Sequence, residues 1–268
     1  MTKNVTEEFN DVLWRHYADL ARTMPWRNSG PDGEYSIYKI IVSELMLQQT
    51  QVDRVVPKFE AFVSHFPTIE SLAKAQFSEV VGLWNGLGYN RRAKYLHFAA
   101  QSLSKKPEPY TYEDLLACKG IGHNTAAAIL VYSYNMPIVF VETNIRTVYI
   151  HHFFGDAESV SDKDIEAILS QSIDLEHPRE FYWALMDYGT FLKKQGSRAA
   201  RRSVSYAKQS TFEGSRRQLR GRVLRQLTEG AMSVEGARLK FSDDRLEGVL
   251  QDLEKDSLIT QKDGYISL

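Results

Sequence analysis

Two glycines one residue apart, in Leu116-Ala117-Cys118-Lys119-Gly120-Ile121-Gly122-His123-Asn124-Thr125-Ala126, stand between an amphipathic stretch and an Ala-rich one. A turn of this kind can expose backbone N–H groups at the start of a helix, where an anion is favoured. Downstream, the apolar run Ile138-Val139-Phe140-Val141 ends on Glu142 and continues as Thr143-Asn144-Ile145-Arg146. The two stretches together predict a phosphate grip followed by a presented carboxylate.

Periodicity over residues 7–192 is helical nearly throughout. Phe9, Val12, Leu13, His16 and Tyr17 recur at three- and four-residue steps, as do Ile40, Ile41, Leu45 and Leu47, then Val55, Phe59, Phe62 and Val63. Turn signals separate these runs at Asn28 to Gly33, Phe66-Pro67-Thr68, Gly86-Leu87-Gly88 and Lys106 to Pro109. Thr68-Ile69-Glu70-Ser71 and Thr111-Tyr112-Glu113-Asp114 have the pattern of helix N-caps. The expected fold is all-α, built from many short helices.

Past residue 210 the pattern changes. A basic amphipathic helix from Arg216 to Leu227 precedes Ser233-Val234-Glu235-Gly236-Ala237, a helical run from Asp243 to Leu253, and a β-hairpin around Asp263-Gly264. This order resembles a winged-helix (α+β) module. The expected boundaries are 1–196 for a two-lobed main domain, 197–213 for a basic linker and 214–268 for the module. The third helix of such a module often enters a DNA groove. Here Asp243, Asp244, Glu247, Asp252, Glu254 and Asp256 outnumber Arg245 and Lys255, which predicts packing or protein contact and argues against a winged-helix transcription factor.

The formal net charge of −1 hides an asymmetry: residues 193–225 hold eleven Lys or Arg against one acid, Glu213, so that segment is +10 and the remainder −11. Such a stripe suits phosphate contacts and equally suits a solvated surface. The single Cys118 excludes an intrachain disulfide and fits a reducing cytosol. No apolar run reaches membrane-spanning length, and the first residues lack the apolar core of a signal peptide. A cytoplasmic monomer, nucleoid-associated if the source is bacterial, is the expectation.

Four further motifs, Pro25-Trp26-Arg27, Ser43 to Val52 (SELMLQQTQV), Leu83 to Tyr89 (LWNGLGY) and Ala184 to Gly189 (ALMDYG), occur in order with the hairpin. Over about residues 8–192 the chain resembles the helix-hairpin-helix (HhH-GPD) DNA glycosylases, on the MutY-type adenine glycosylase branch. The resemblance implies base flipping from double-stranded DNA with a mismatch or damaged base, and hydrolysis of the N-glycosidic bond. It places Glu44 as the acid that protonates the leaving base; apolar helix neighbours are expected to raise its pKa. Without the signature around it, Glu44 would read as a carboxylate bridging a loop. Glu142 takes the position of the group that stabilises the developing sugar cation, and Asn144 that of the amide orienting it. Gly120, Gly122, Lys119, His123, Asn124 and Thr125 fall on the DNA-gripping hairpin, with a monovalent cation held by nearby carbonyls. Gln48, Gln49 and Tyr89 fall on the wedge that probes the opposite base, although Tyr89 also reads as a core aromatic. Trp26, Trp84 and Trp183 read as core.

Departures from the family carry as much information. The usual aspartate is Glu142, one methylene longer, and an ångström of misplacement can cost about a hundredfold in rate. The lysine of the bifunctional relatives is Asn124, whose amide cannot form a Schiff base, so a monofunctional enzyme is expected. The four cysteines of the family's iron–sulfur cluster are replaced, by spacing, by Lys193, Ala200, Ser203 and Gln209, so no cluster is expected. The basic loop must then be ordered otherwise, with docking against the C-terminal module as the expectation. The 8-oxoguanine-recognition domain of typical relatives is also missing. Mismatched adenine is the default substrate; thymine or uracil opposite guanine, hypoxanthine, and a non-catalytic damage-binding protein are the alternatives.

Overall fold

A computed structural model describes residues 3–207 and 211–268. Lys208 and Gln209, two positions singled out by the sequence, lie outside them. Among the described residues the helices are α1 (Lys3–Leu20), α2 (Ile37–Leu47), α3 (Val52–His65), α4 (Ile69–Lys74), α5 (Phe77–Trp84), α6 (Arg91–Leu103), α7 (Tyr112–Leu116), α8 (His123–Tyr134), α9 (Thr143–Phe153), α10 (Asp162–Ser172), α11 (Pro178–Lys194), α12 (Arg216–Leu227), α13 (Val234–Phe241) and α14 (Leu246–Lys255). Three short strands, β1 (Met232–Ser233), β2 (Thr260–Lys262) and β3 (Tyr265–Ser267), complete the fold. The all-α expectation with a small C-terminal α+β module holds. Two compact units divide the chain: residues 1–40 with 122–208, and residues 41–121 with 209–268. Among the described residues, no helix is long and apolar enough to cross a membrane.

In the first unit α11 packs on α9, α1 and α8 through Phe181, Tyr182, Ala184 and Leu185, all fully buried. The approach of α11 to α9 requires glycine at 189, because a Cβ there would lie 2.6 Å from the Asn144 carbonyl oxygen. Asp187, two residues earlier, joins two of the sequence motifs. Arg27, in the turn Pro25–Arg27, donates to both its carboxylate oxygens at 2.8 and 2.9 Å, and Arg22 donates Nε at 2.7 Å and its backbone N–H at 2.9 Å. Burial pushes the Asp187 carboxyl up, but the hydrogen bonds and charges of Arg27 and Arg22 outweigh it and leave it below the usual range. Trp26 and Trp183 are core, as expected, with the Arg27 guanidinium 5.2 Å from the Trp183 ring.

The loop after α11 is tied down by hydrogen bonds within its own unit. Within the first unit, Arg202 donates to the carbonyls of Gly155, Ala157 and Ile150, and Val160 pairs in parallel with Ser203. Asp162 accepts from Arg146 at 2.7 and 2.8 Å and from Ser205 Oγ at 3.0 Å. One guanidinium aimed at three carbonyls constrains the loop, and the arginine fork suits this because it stays charged and carries five N–H donors.

In the second unit, Thr68 and Thr111 cap α4 and α7 by accepting from Ser71 and Asp114 N–H at 3.2 and 3.1 Å, the predicted capping boxes. The C-terminal order α12, β1, α13, α14, β2, β3, with an antiparallel sheet β1-β3-β2, is the winged-helix topology. Asp263 and Gly264 both have positive φ, +52° and +77°, the geometry of a two-residue hairpin turn. The module does not close on itself. Val81 of α5 sits in the same apolar cluster as Leu219, Val223, Phe241, Val249, Leu253 and Ile266. Asp252 of α14 takes Arg216 of α12 at 2.8 Å, and Asp256, just past α14, takes Arg220 of α12 at 2.6 Å and Arg91 of α6 at 3.1 Å. Three residues of the basic stripe are therefore wired internally, Arg216 and Arg220 to Asp252 and Asp256 and Arg202 to carbonyls.

Replacing Asp187 by Asn leaves the largely buried Arg27 without its counter-charge. A loss of about 3–5 kcal/mol is expected from chemical denaturation. The wild-type contribution of Asp187 should be present above the ordinary Asp pKa and lost as pH falls below it, because its folded pKa is depressed.

Candidate functional site

The second unit brings the predicted wedge residues into one assembly. Gln49, just past α2, has φ +57°, and Tyr89, just before α6, has φ +47°. Side chains other than glycine adopt this region at a cost of about 1–3 kcal/mol, and such residues cluster at functional sites. Arg92 holds both turns. Its guanidinium is buried and donates to Leu45 O and Met46 O at 2.7 and 2.8 Å, to Thr50 Oγ1 at 3.0 Å and to Gly88 O at 3.0 Å. Burial lowers its pKa to about 10, which leaves it charged at neutral pH. It also lies 5.5 Å from the Tyr89 ring and 5.3 Å from the ring of Trp84, which is core. The end of α2 and the Gly86-Leu87-Gly88 turn are thus one unit of hydrogen bonding.

Gln48 extends that unit to the hairpin by donating Nε2 to Gly120 O at 3.3 Å. Gly120 has φ +92°, and a Cβ there would meet the Tyr95 ring at 2.3 Å, so this glycine is obligatory. Lys119 is exposed, its ammonium 5.8 Å from Tyr95. Glu44, half-buried on α2 among the buried Ser43, Leu45 and Met46, belongs to this unit as well.

In the first unit Gly122 caps α8 in extended conformation with no side-chain cap, so the first turn of α8 has no capping side chain. His123 and Asn124 are exposed there and Thr125 is half-buried. Asn124 donates Nδ2 to Val141 O at 2.8 Å, tying the start of α8 to the residue before Glu142. Arg146 reaches the same carbonyl at 3.3 Å while its fork engages Asp162. Glu142 is half-buried at the N-cap position of α9. Burial pushes its carboxyl above the ordinary range, and the Arg146 charge opposes the shift. Asn144 accepts at Oδ1 from Lys193 Nζ at 2.6 Å and donates to Thr190 Oγ1 at 3.5 Å. The amide that the resemblance assigns to orienting Glu142 is thus itself oriented from α11.

Residues 42–174 match the HhH-GPD superfamily base excision DNA repair proteins. Over 276 aligned residues the chain is 31% identical to an adenine DNA glycosylase of Mycolicibacterium smegmatis, covering 94% of this chain and 93% of that one. The chain belongs to the HhH-GPD superfamily, in its adenine glycosylase branch. It is also 33% identical to an adenine DNA glycosylase of Buchnera aphidicola over 67% of this chain and 50% of the relative. It therefore spans about half the length of that relative and nearly all of the mycobacterial one. Among solved structures, a thermostable thymine-DNA glycosylase superposes with a TM-score of 0.64 at 20% identity, covering 74% of this chain and 95% of the other, which speaks to the fold.

Several residues of this HhH-GPD chain that position the site carried no sequence signal. Arg92 stands in Arg91-Arg92-Ala93 and reads as a charged surface residue, although Ala93 and Leu96 mark the buried face beside it. Lys193 reads in sequence as one of the basic stripe and as a nominal cluster position, and neither reading points to Asn144. Arg217, which donates to the Tyr89 hydroxyl from α12, was read as part of a stripe.

The two hairpin glycines should separate cleanly. Gly120→Ala forces a positive φ and a clash with Tyr95, so a loss of about 1–3 kcal/mol and weakened DNA binding are expected. Gly122→Ala, whose Cβ meets nothing within 4 Å, should leave the unfolding midpoint nearly unchanged.

Proposed function

We propose that this DNA glycosylase is monofunctional and excises adenine from mispaired double-stranded DNA. The observation that carries the reading is Glu142, seated at the head of α9 and fixed by Asn124 and Arg146 at the carbonyl that precedes it. The adenine DNA glycosylase relatives supply the substrate class.

Glu44 hands its proton to the departing purine as the N-glycosidic bond breaks, and the bonding pair leaves with the base. Positive charge accumulates on the sugar, and the Glu142 carboxylate stabilises it. Water adds to the anomeric carbon from the open face, Glu44 taking up its proton, and an abasic site remains. Asn124 occupies the position of a Schiff-base lysine with an amide whose donor is committed to Val141 O, so hydrolysis rather than strand cleavage follows. The longer side chain of Glu142 is matched by a backbone held from both sides, which favours an active enzyme over one that only binds damage.

The hairpin and the uncapped first turn of α8 grip phosphate. Cys118 O and Gly120 O, which accept from Ile121 N and Gln48 Nε2, each keep a lone pair for a monovalent cation. An iron–sulfur cluster does not fit: Lys193, Ala200 and Ser203 provide no thiolate, and the one cysteine, Cys118, is buried and engaged with Asp114 O at 3.4 Å.

Labelled duplexes carrying A opposite 8-oxoguanine, A opposite G, T or U opposite G, and hypoxanthine opposite T test this directly. Strand breakage only after alkali, on the adenine duplexes, is expected, with Glu44→Gln and Glu142→Gln each losing at least a hundredfold in single-turnover rate. Tight binding without abasic product on any duplex would sink the proposal in favour of damage binding. The Glu142 role requires the anion, and burial raises its carboxyl. The acid limb of the rate should therefore lie above ~4.3, the ordinary glutamate value, with activity lost as pH falls through it.

A further inference from the structure

We infer that Asp162, at the start of α10, is a positioning residue for base excision: it draws the Arg146 fork to itself and leaves the Glu142 carboxylate to face the sugar. The inference rests on the proposed role of Glu142 and adds the group that keeps this carboxylate available.

Arg146 stands four residues after Glu142, and its backbone N–H donates to Glu142 O at 2.8 Å. At this spacing an acid and an arginine share one helix face, and the order with the acid first is the one in which they pair best. Arg146 nevertheless makes its ion pair with Asp162. Its Nε donates to one Asp162 carboxylate oxygen at 2.7 Å and its Nη2 to the other at 2.8 Å, while Nη2 also reaches Val141 O at 3.3 Å. A two-pronged bond of this kind fixes orientation as well as charge. The side chains of Arg146 and Asp162 are 15% and 30% exposed, so solvent screens the pair only in part.

The reaction explains why the fork should turn away. A carboxylate that stabilises charge developing on the sugar acts through its own negative charge, and a guanidinium in direct contact would cancel much of it. Glu142 makes no side-chain cap bond to α9 either. Burial pushes its carboxyl up and the Arg146 charge opposes that shift. Held on Asp162, the cation thus favours the Glu142 anion from one remove without occupying it.

Asp162 is built to win this competition. It is the first residue of α10, after the N-cap Ser161, where the helix dipole favours an anion. The hydrogen bonds from Arg146 and Ser205 hold its carboxyl below the usual range, the Ser205 hydroxyl donating to the oxygen that also takes Nη2. The other charged groups on the elements packed about α9 are engaged elsewhere. Lys193 of α11 donates to Asn144 Oδ1, Asp187 of α11 holds Arg22 and Arg27, and Arg202 of the turn Ala199–Arg202 donates to backbone carbonyls. Asp164 of α10 accepts from Ser161, and His123 at the head of α8 is exposed.

The full chain, Asp162→Asn, Arg146→Gln and the double variant are compared in two ways. Single-turnover excision of adenine opposite 8-oxoguanine is followed across pH, and the Glu142 carboxyl is titrated by NMR in chains made with isotope-labelled glutamate, Glu142→Gln identifying its signal. In Asp162→Asn the fork should close on Glu142, so its carboxyl titrates about one pH unit lower and the plateau rate falls about tenfold. In Arg146→Gln burial is unopposed, and the carboxyl should titrate about one pH unit higher. The double variant should recover most of the plateau rate lost in Asp162→Asn, since no fork remains to claim the carboxylate, a non-additivity that independent structural damage does not produce. Thermal midpoints establish that each variant is folded, and the Asp162→Asn titration decides the matter if Arg146→Gln is not. A Glu142 titration unmoved or raised in Asp162→Asn, or a double variant slower than Asp162→Asn at every pH, overturns the inference. Opposite shifts of Glu142 in a chain that yields no abasic site would leave the hold of Asp162 on the fork standing while the proposed activity fails.

Discussion

The guanidinium of Arg92 is the contact on which the candidate binding surface depends. A buried cation without a carboxylate partner is tolerated only where its donors are satisfied, and here backbone carbonyls at the end of α2 and in the Gly86 to Tyr89 turn satisfy them. Those carbonyls lie at the last turn of a helix and in a tight glycine turn, where acceptors fall outside the helix ladder; Gly88 O also accepts from Trp84 Nε1 at 3.2 Å. One side chain thus resolves two deficits and fixes the positions of Gln49 and Tyr89, both in strained backbone. The strain persists because the surroundings over-determine it. Arg217 can meet Tyr89 in a defined pose only because Tyr89 is already immobile.

The same device recurs in the first unit, where arginines substitute for constraints of other kinds. Arg202 draws the loop after α11 against carbonyls near α9, and Arg146 joins Asp162, which also holds Ser205. In this chain the loop is held by guanidinium and hydroxyl hydrogen bonds. Lys193 at the end of α11 anchors Asn144. The order of the loop is written largely in charged hydrogen bonds. Its stability is correspondingly sensitive to pH and salt, since exposed pairs are screened while buried ones are not.

The C-terminal module shows why charge read along a chain misleads. Residues 193–225 carry a local charge of +10 that looks like a phosphate-binding stripe. In three dimensions Arg216 and Arg220 lie against Asp252 of α14 and Asp256 just beyond it, and the acidic segment that would be repelled by DNA neutralises its own neighbour. Arg217 meets Tyr89 instead. Its distinction is geometric, since all three sit within a single stretch of α12 and differ only in which face of the helix they occupy.

The sequence by itself determined the features set by local chemistry or by chain order. Thr68 and Thr111 announce their helices because a hydroxyl at an N-cap meets an N–H three residues on, and Asp263-Gly264 announces its hairpin because both residues accept positive φ. Gly120 and the apolar run ending at Glu142 are likewise local, and the ordered motifs sufficed for family and fold. Only the tertiary structure decided which charges are paired and which positions cooperate. Arg27 and Asp187, 160 positions apart, form one buried ion pair, and Val81 joins a core otherwise made of the last quarter of the chain. Hydrogen bonding and burial depend on distance in space, and a guanidinium reads the same in sequence whether it faces solvent, a carboxylate or a row of carbonyls.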